Sequence, residues 1–501
     1  MSFFVGVWLA SVLMAVGTLL VVTRLRRFTE VGSELVIALL IFGFPLIYAT
    51  PFSLWTKVLL TVVHLGLLAL PFRLFVGRLE PPFLLGSTGK NAIIGYGAIV
   101  VLLALEYWFP RDLLEITGIV MLIGAVCIGL MFLGQLLWNM RHYRLPKKRI
   151  VLSEMPTVSV CIPARNEDHA LADCLETVLT SDYPKIEVLV LDDCSQDKTS
   201  AIIRSFAHEG VRFVQGDQPA LGWLGKTQAM QTLVSHASGD YILFMDVDTH
   251  ISPQTITVLM QYASGNSLQM VSVAPQNRLA LGASTLLGTL EQFWRIVLPI
   301  GKSRMPISSR LWLVKRSALD ALGEFGSVSR KIIPEESFAR RLFNSNEYRF
   351  LVGNSELGVT TAKRWTSHVA TSLRLAYPLL RRQPFYAIGA VTALLAMVLG
   401  PLGFTVFSLL NGQTGVAFWL ALTATALFFI DYLLVVVRIT PKIWFLAWLL
   451  WPYVVFQEAV IYVASMVTYE FSEVNWKGRN VCYPVLTPQP LQGERPVWRR
   501  P

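Results

Sequence analysis

Long apolar runs occupy both ends of the chain and leave a more polar region between them. Five runs near the N-terminus are each close to the ~20 residues that a membrane-spanning helix needs. They cover residues 3–22, 35–55, 58–76, 92–109 and 114–138. Three further runs follow the polar region, at residues 386–410, 416–437 and 443–467. The pattern predicts two sets of transmembrane helices with a polar domain between them.

The polar region, from about residue 157 to residue 382, alternates short apolar stretches with amphipathic ones. Strands are predicted at residues 158–163, 186–192, 211–215, 241–246, 268–273 and 311–315. Helices are predicted between them, at residues 171–180, 200–208, 227–235 and 253–263. Strands that alternate with helices of this size indicate βαβ units and a mostly parallel sheet. Ligands of such sheets bind beyond the carboxyl ends of the strands, so the residues there are the candidates for function.

The composition agrees with a membrane protein. Of the 501 residues, 53% are hydrophobic and 15% are charged, whereas soluble proteins have about 45–50% and about 25%. This excludes an ordinary soluble enzyme and a disordered protein. The net charge of +10 does not indicate nucleic acid binding, because the Lys and Arg residues lie at the ends of apolar runs. The five cysteines have no metal-site spacing, and we expect reduced thiols without a metal cluster.

The positions of Lys and Arg orient the predicted helices. With the N-terminus outside, the inner loops hold eleven Lys and Arg residues, whereas the outer loops hold only Lys57 and Arg111. By the positive-inside rule, the polar domain lies in the cytosol. The arginines Arg24, Arg26 and Arg27 follow the first run and no cationic stretch precedes it, so we expect a membrane anchor and not a cleaved signal peptide.

The last apolar run gives a conflict with the same rule. Three C-terminal spans would place a basic tail outside. Because Pro452, Gln457 and Glu458 interrupt the run, we expect it to re-enter the membrane or lie in the interface, and we expect a cytosolic tail.

The chain is therefore predicted to have four parts. These are an N-terminal transmembrane region of about five helices at 1–149, an α/β domain at 150–382, a C-terminal transmembrane region of two to three helices at 383–469, and a polar tail at 470–501.

Acidic residues follow two of the predicted strands. Asp192 and Asp193 lie in the segment LDDCSQDKT, and Asp246 and Asp248 lie in FMDVDT. In an extended chain residues i and i+2 share a face, so Asp246 and Asp248 can point into one crevice. Paired carboxylates suit a hard divalent cation that also holds a diphosphate. The alternative for each pair alone is an ordinary turn after a strand.

A lysine opens the helix that lies between the two acidic strands. Lys226 ends the segment GWLGK, where it and the backbone N–H groups of the helix start can neutralise phosphate. A rival interpretation treats ALGWLGKT, residues 220–227, as the phosphate loop of an ATPase. Ala220 then replaces a required glycine, and Asp192 and Asp193 have no role.

The segments PARNE, LDDCSQDKT, GWLGK and FMDVDT, in this order and spacing, resemble those of family 2 inverting glycosyltransferases. The resemblance covers roughly residues 157–365 and implies a GT-A fold, a Rossmann-like α/β domain with a mostly parallel sheet. The membrane arrangement, the GWLGK form and the tail segment NWKGR, residues 475–479, are most similar to lipid-modifying members. These include hopanoid-associated, carotenoid-type and ceramide glucosyltransferase-like proteins.

The resemblance also implies roles for individual residues. The implied nucleotide-sugar site consists of Pro163, Arg165 and Glu167 at the base, Asp192 or Asp193 at the uracil or ribose, Lys226 at the diphosphate, and Asp246 at the ribose or metal. Asp248, with Asp246, would bind Mg²⁺ or Mn²⁺.

In such enzymes the carboxylate that removes the proton of the acceptor usually lies in an E-D pair at the start of a helix. The corresponding segment here is PEESFARR, residues 334–341. We expect Glu335 to be this catalytic base, with Glu in place of the family's Asp. Pro at the first helical position followed by acidic residues is also ordinary helix-start chemistry, which is the alternative.

The family's Q-x-x-R-W element appears as Thr361-Ala362-Lys363-Arg364-Trp365. Arg364 and Trp365 match and are expected on the acceptor side. The glutamine is replaced, which argues against a processive synthase. Trp365 is equally compatible with an interfacial anchor.

Together these patterns predict a multi-pass protein of the bacterial inner membrane with a cytosolic catalytic domain. We expect transfer of a hexose, with inversion, from a nucleotide-diphosphate sugar such as a UDP-hexose to a membrane lipid. A processive polysaccharide synthase coupled to export and a P-loop-like transport ATPase are the alternatives.

Overall fold

The computed structural model describes residues 111–143, 155–278, 285–298, 305–363, 365–380, 382–471, 474–477 and 479–482. The first four predicted apolar runs, at residues 3–109, lie outside the described residues, as does most of the predicted polar tail.

The described region folds into α-helices and β-strands, which alternate in the α/β domain. The helices are α1 (Arg111–His142), α2 (Leu171–Leu179), α3 (Thr199–Ser205), α4 (Gly225–His236), α5 (Thr255–Gly265), α6 (Thr285–Val297), α7 (Arg316–Ala321), α8 (Pro334–Phe343), α9 (Trp365–Leu379), α10 (Pro384–Ala393), α11 (Gly400–Leu410), α12 (Val416–Ile439), α13 (Trp444–Leu449) and α14 (Trp451–Phe471). The strands are β1 (Val158–Ala164), β2 (Ile186–Asp192), β3 (Val211–Gln215), β4 (Tyr241–Met245), β5 (Thr249–His250), β6 (Met270–Ala274), β7 (Gln276–Asn277), β8 (Leu311–Lys315), β9 (Tyr348–Val352), β10 (Thr360–Thr361), β11 (Val474–Trp476) and β12 (Arg479–Cys482).

A seven-stranded sheet in the order β3-β2-β1-β4-β8-β6-β9 forms the centre of the α/β domain. The pairs β1–β2, β1–β4, β2–β3 and β6–β9 are parallel, which confirms the predicted mostly parallel sheet. The exception is β8, which is antiparallel to both β4 and β6. All five residues of β4 are buried, as expected for a strand covered on both faces. A second sheet has the order β5-β10-β7.

An aromatic cluster holds α8 against the centre of this sheet. Phe244 of β4 stacks on Trp312 of β8 with ring centroids 4.3 Å apart. Phe338 of α8 packs on Trp312 at 6.4 Å and on Phe325 at 5.5 Å. Because large buried aromatic side chains contribute much of the packing energy of a core, this cluster fixes the start of α8 near the end of β4.

The chain divides into two compact units. One contains the α/β domain and consists of Val126–Val369 and Ala426–Val454. The other includes Ala370–Thr425 and, among the described residues, those from Val455 onward. Within this second unit α9 and α14 are joined by hydrogen bonds, in which the hydroxyl of Tyr377 donates to Glu470 (2.6 Å) and that of Tyr469 donates to the carbonyl of Arg374 (2.7 Å).

Three helices in the described region are long and apolar enough to cross a membrane, at Gly118–His142, Pro384–Leu410 and Val416–Ile439. They coincide with three of the predicted runs. The last predicted run is divided into α13 and α14, and neither meets the same criterion. The break at Leu450 comes two residues before Pro452, whereas Gln457 and Glu458 lie inside α14.

Some elements were not predicted. The helices α6, α7 and α9, the sheet strand β9 and the short strands β5, β7 and β10 were not predicted from the sequence, nor was the antiparallel direction of β8. Where the predicted polar tail begins, the structure has a hairpin of β11 and β12. Two- and three-residue strands carry too few positions for a periodic pattern, and strand direction is set by tertiary pairing.

Gly239 lies where β4 approaches β1, and its N–H donates to the hydroxyl of Ser159 at 2.8 Å. A Cβ at residue 239 would lie 2.7 Å from the backbone nitrogen of Ser159. We therefore expect Gly239→Ala to destabilise the domain by about 1–3 kcal/mol, because the backbone of β1 must shift. Gly326→Ala is the control, since a Cβ there meets no atom within 4 Å. Thermal unfolding in detergent should show a lower midpoint for the first variant alone, and equal midpoints would contradict the prediction.

Candidate active site

The carboxyl ends of β1, β2 and β4 lie side by side at one edge of the large sheet. Ala164 at the end of β1 pairs with Asp192 at the end of β2, and Cys161 of β1 pairs with Phe244 of β4. The segments that follow these strands therefore leave the sheet at the same edge. This brings the PARNE segment and both acidic pairs to one place.

The PARNE segment and the segment after β2 are interlocked by hydrogen bonds. The buried side chain of Arg165 donates from Nη1 to the carbonyls of Asp193 (2.5 Å) and Cys194 (3.0 Å). The N–H of Asn166 donates to the hydroxyl of Ser195 at 3.0 Å. Arg165 thus shapes the loop around the expected base pocket by holding its backbone.

The two aspartates after β2 differ in what they contact. The carboxylate of Asp192 accepts the N–H of Ser195 at 2.9 Å with one oxygen and the hydroxyl of Ser200 with the other. Both oxygens of Asp192 therefore serve the loop itself. Asp193 is also buried, and its N–H donates to the carbonyl of Ala164 at 2.8 Å.

The remaining two candidates for the base pocket lie on the same segment. Pro163 is in β1, paired with Leu191 of β2. Glu167 has a partly exposed side chain, and its N–H donates to the hydroxyl of Thr199 at 2.9 Å.

Lys226 contacts the first aspartate after β4. Its Nζ lies 2.5 Å from Oδ1 of Asp246, and both side chains are partly buried. Burial alone would raise the pKa of Asp246, but the charge and hydrogen bond of Lys226 hold this pKa below its ordinary value. The backbone N–H of Asp246 donates to the carbonyl of Arg310 at 2.9 Å. The first turn of α4 and the end of β4 are therefore joined by a charged hydrogen bond.

The two carboxylate oxygens of Asp248 have different surroundings. Oδ2 lies 3.6 Å from Nζ of Lys363. Oδ1 is buried and has no hydrogen-bond partner in the described part of the protein. A buried carboxylate oxygen without a partner is costly, and a hard divalent cation is a ligand that would satisfy it. Among the described residues no group of three or more His, Cys, Asp or Glu side chains forms a complete metal site, so a cation here would need further oxygens from substrate or water.

Glu335 lies in the first turn of α8, after Pro334, and its side chain is 1% exposed. Burial raises the pKa of Glu335 to about 7, while the positive charge of Lys226 acts in the opposite direction. The negative charge of Asp246 raises the pKa further. The charges of Lys226 and Asp246 therefore both act on this carboxyl group, and a pKa near 7 suits proton transfer near neutral pH.

Residues 159–303 match the family described as glycosyl transferase family 2. This match covers less than a third of the chain. A probable glycosyltransferase of Bacillus subtilis, YdaM, is 31% identical over 176 residues, which is 33% of this chain and 41% of that protein. The 4,4'-diaponeurosporenoate glycosyltransferase of Staphylococcus haemolyticus is 29% identical over 144 residues, which is 28% of this chain and 38% of that protein.

The chain thus spans about two fifths of the length of these relatives. Among solved structures, a mannosyltransferase from Pyrobaculum calidifontis, described in complex with GDP-Man and Mn²⁺, is 18% identical with a TM-score of 0.43. That match covers 70% of this chain and 98% of the other. The family match over residues 159–303 agrees with the resemblance drawn from the sequence motifs.

Three predicted residues lie beyond the matched part of the family 2 domain. Glu335 is described above. Arg364 lies outside the described residues, and Trp365 begins α9 without a described side chain. The acceptor-side role of both therefore stays a prediction.

A charged cluster next to Asp246 was not predicted from the sequence. Arg310 is buried, and its Nη2 lies 3.0 Å from Glu291 of α6. Arg295, one turn further along α6, contacts the other oxygen of Glu291 at 2.6 Å. Burial would raise the pKa of Glu291, but Arg295 and Arg310 hold it well below its ordinary value. The (i, i+4) spacing was visible in the sequence, but it is the spacing of any exposed helix pair.

Substitution of Glu335 tests its expected role as the base. Glu335→Gln keeps the shape but cannot accept a proton, so sugar transfer should fall by about 10²–10⁴-fold. The rate of transfer by the unaltered protein should also decline as the pH falls below about 7, since protonation of Glu335 removes the base. The Glu335→Gln variant should not show this decline. The kcat/KM for transfer, measured as a function of pH, checks both points.

Glu336→Gln is the matched control, because Glu336 is paired with Arg340 of the same helix. Its loss should have a mild effect. Normal transfer by Glu335→Gln would show that these acids are only helix-start charges.

Proposed function

We propose that this protein transfers a hexose from a nucleoside-diphosphate sugar to a membrane lipid with inversion, and that the donor is a UDP-hexose. The observation that carries the proposal is that Lys226 contacts Asp246 just beyond β4 and that the charges of both act on the buried carboxyl group of Glu335. A cation, a carboxylate pair and a buried base are the groups that inverting sugar transfer requires.

The donor would lie along the edge formed by β1, β2 and β4. Asp192 or Asp193 would contact uracil or ribose, and the carboxylate of Asp192 also accepts hydrogen bonds from Ser195 and Ser200. Lys226 would stabilise the charge on the leaving diphosphate from the start of α4. Mg²⁺ or Mn²⁺, held by Asp248 with Asp246, would supply further neutralisation of that charge.

Glu335 would remove the proton from the acceptor hydroxyl. The oxygen would then form a bond to C1 of the sugar as the bond from C1 to the diphosphate breaks, which inverts C1. The raised pKa of Glu335 supports this role, because a base with a pKa near the working pH combines ionisation with proton affinity.

A lipid acceptor is supported by the way α6 links the charged site to apolar helices. Glu291 of α6 contacts Arg310 beside Asp246, whereas Phe293 packs on Phe132 of α1 at 6.4 Å and on Tyr432 of α12 at 6.0 Å. An amphiphile held among such helices could present its hydroxyl to the site. The staphylococcal relatives are named for the acceptor 4,4'-diaponeurosporenoate, which is a lipid-like carotenoid.

The cell location follows from the same features. We propose a multi-pass protein of the bacterial inner membrane whose catalytic domain faces the cytosol, where nucleotide sugars are made. The three apolar helices of the described region and the positions of Lys and Arg along the sequence support this arrangement.

The P-loop alternative is not favoured by the contacts of its key residues. In that mechanism the threonine after Lys226 binds Mg²⁺. Thr227 is buried, and the only acceptor found for its hydroxyl among the described residues is the carbonyl of Lys331, at 3.4 Å. Lys226 itself contacts Asp246. A processive synthase remains the second candidate, and it differs from our proposal in its product.

A labelling experiment separates the three functions. Purified protein is added to membranes from cells that lack the gene, with radiolabelled UDP-glucose, UDP-galactose or UDP-N-acetylglucosamine, or with γ-labelled ATP. We expect label from one UDP-sugar in the chloroform-soluble fraction. Label in an ethanol-insoluble polymer would instead indicate the synthase, and released phosphate from ATP would indicate the ATPase.

The metal site is tested by Asp248→Ala. Transfer should fall by at least about 10²-fold, the size of loss typical on removing a group that stabilises developing charge, and EDTA should inactivate the unaltered protein. Asp320→Ala is the control, because Asp320 is an exposed aspartate on α7. Full activity of Asp248→Ala with unchanged thermal stability, or activity that persists in EDTA, would contradict the assignment.

A further inference from the structure

Each aspartate of the pair after β4 faces a lysine of its own. Lys226 contacts Asp246 at 2.5 Å, and Lys363 lies 3.6 Å from Asp248. The side chain of Lys363 is the more buried of the two lysines, with 11% exposed against 20%. Lys363 occupies one of the two unspecified positions in the Q-x-x-R-W element, so the sequence motif predicts no role for it.

The backbone keeps Lys363 beside Asp248. The carbonyl of Asp248 accepts the N–H of Ala362 at 3.2 Å and the hydroxyl of Thr361 at 3.1 Å. Just beyond Asp248, Thr249 of β5 pairs with Thr361 of β10 in antiparallel register. The Cα of Lys363 is thereby tied to the aspartate segment, while its four-carbon side chain can still change its direction within the site.

The charges of these four side chains balance when no ligand is bound. A divalent cation that joins Asp246 and Asp248 alone would meet two ammonium groups at short range, and this repulsion weakens its binding. A diphosphate brings negative charge that the two ammonium groups can then contact. Binding of the cation and binding of the diphosphate should therefore favour each other.

We propose that Lys363 is a second diphosphate-binding cation that pairs with Asp248 in the ligand-free protein and moves to the diphosphate when donor and metal bind. The proposal rests on the proposed function, because it assumes a nucleoside-diphosphate donor. Oδ1 of Asp248 is buried and has no hydrogen-bond partner among the described residues, so it can bind the cation first. When Lys363 moves away, Oδ2 of Asp248 can bind the cation as well.

The competing explanation is that the ion pair only fastens β10 to β5. In that case removal of the charge lowers thermal stability and leaves ligand binding unchanged. A measurement of metal binding without turnover separates the two explanations.

The test measures Mn²⁺ binding to the full chain in detergent, by electron paramagnetic resonance of free Mn²⁺, with and without UDP. For the unaltered protein, UDP should tighten Mn²⁺ binding. For Lys363→Gln, Mn²⁺ alone should bind more tightly, on the order of tenfold, because one repelling charge is gone. UDP affinity in the presence of Mn²⁺ should fall by a similar factor, so that the coupling between the two ligands shrinks.

Two further variants serve as controls. Lys363→Arg keeps the charge, so Mn²⁺ alone should bind no more tightly than to the unaltered protein. Lys315→Gln removes one lysine at the opposite end of the sheet, where Lys315 pairs with Tyr241 at the start of β4, and should leave both affinities unchanged. Lys363→Ala replaces the glutamine variant if that variant does not fold.

The proposal is overturned if Lys363→Gln binds Mn²⁺ and UDP as the unaltered protein does while transfer of a UDP-sugar to lipid persists. The proposed function then stands, and the ion pair is structural. If the unaltered protein binds neither UDP nor Mn²⁺, the proposed function fails and this inference fails with it.

Discussion

The negative charges of Asp246 and Asp248, just beyond the carboxyl end of β4, are the constraint on which the arrangement of the surrounding charged side chains depends. Asp246 and Asp248 follow a strand whose five residues are all buried, so their carboxylates lie where water cannot fully solvate them. Such charges are tolerated only when they are paired. Lys226 and Lys363 supply the pairing, and they come from two segments far apart in the chain. The two ion pairs thus hold the first turn of α4 and the segment after β10 next to the end of β4.

Residues that contact the segment of Asp246 form a second layer around these charges. Arg310 immediately precedes β8, and its carbonyl accepts a hydrogen bond from the N–H of Asp246. The buried guanidinium group of Arg310 forms an ion pair with Glu291 of α6. Through α6 the polar site is connected to the apolar helices α1 and α12. The aromatic cluster around Trp312 fixes α8 on the other side, which brings Glu335 within electrostatic reach of Lys226. Lys226, Glu335 and the helix α6 are therefore arranged around one pair of aspartates.

The sequence was informative where local patterns determine structure. The βαβ alternation predicted the sheet, and the acidic residues after β2 and β4 were recognised as candidates because strand ends in parallel sheets converge. It was uninformative where tertiary contacts decide. Nothing in the spacing of Glu291, Arg310 and Lys363 indicates that they meet beside Asp246, since they lie on separate segments. Asp192 and Asp193 are equivalent in sequence, and only the hydrogen bonds to Ser195 and Ser200 distinguish them.

The central claim is that the end of β4 holds the diphosphate of a nucleotide sugar. The most direct test is a crystal or electron cryo-microscopy structure with UDP and Mn²⁺, with the metal located by anomalous scattering or density. The account predicts Mn²⁺ bonded to an oxygen of Asp248 and to the diphosphate, with Nζ of Lys226 within hydrogen-bond distance of a diphosphate oxygen. UDP bound with its diphosphate away from both aspartates, or Mn²⁺ at a different set of side chains, would contradict it.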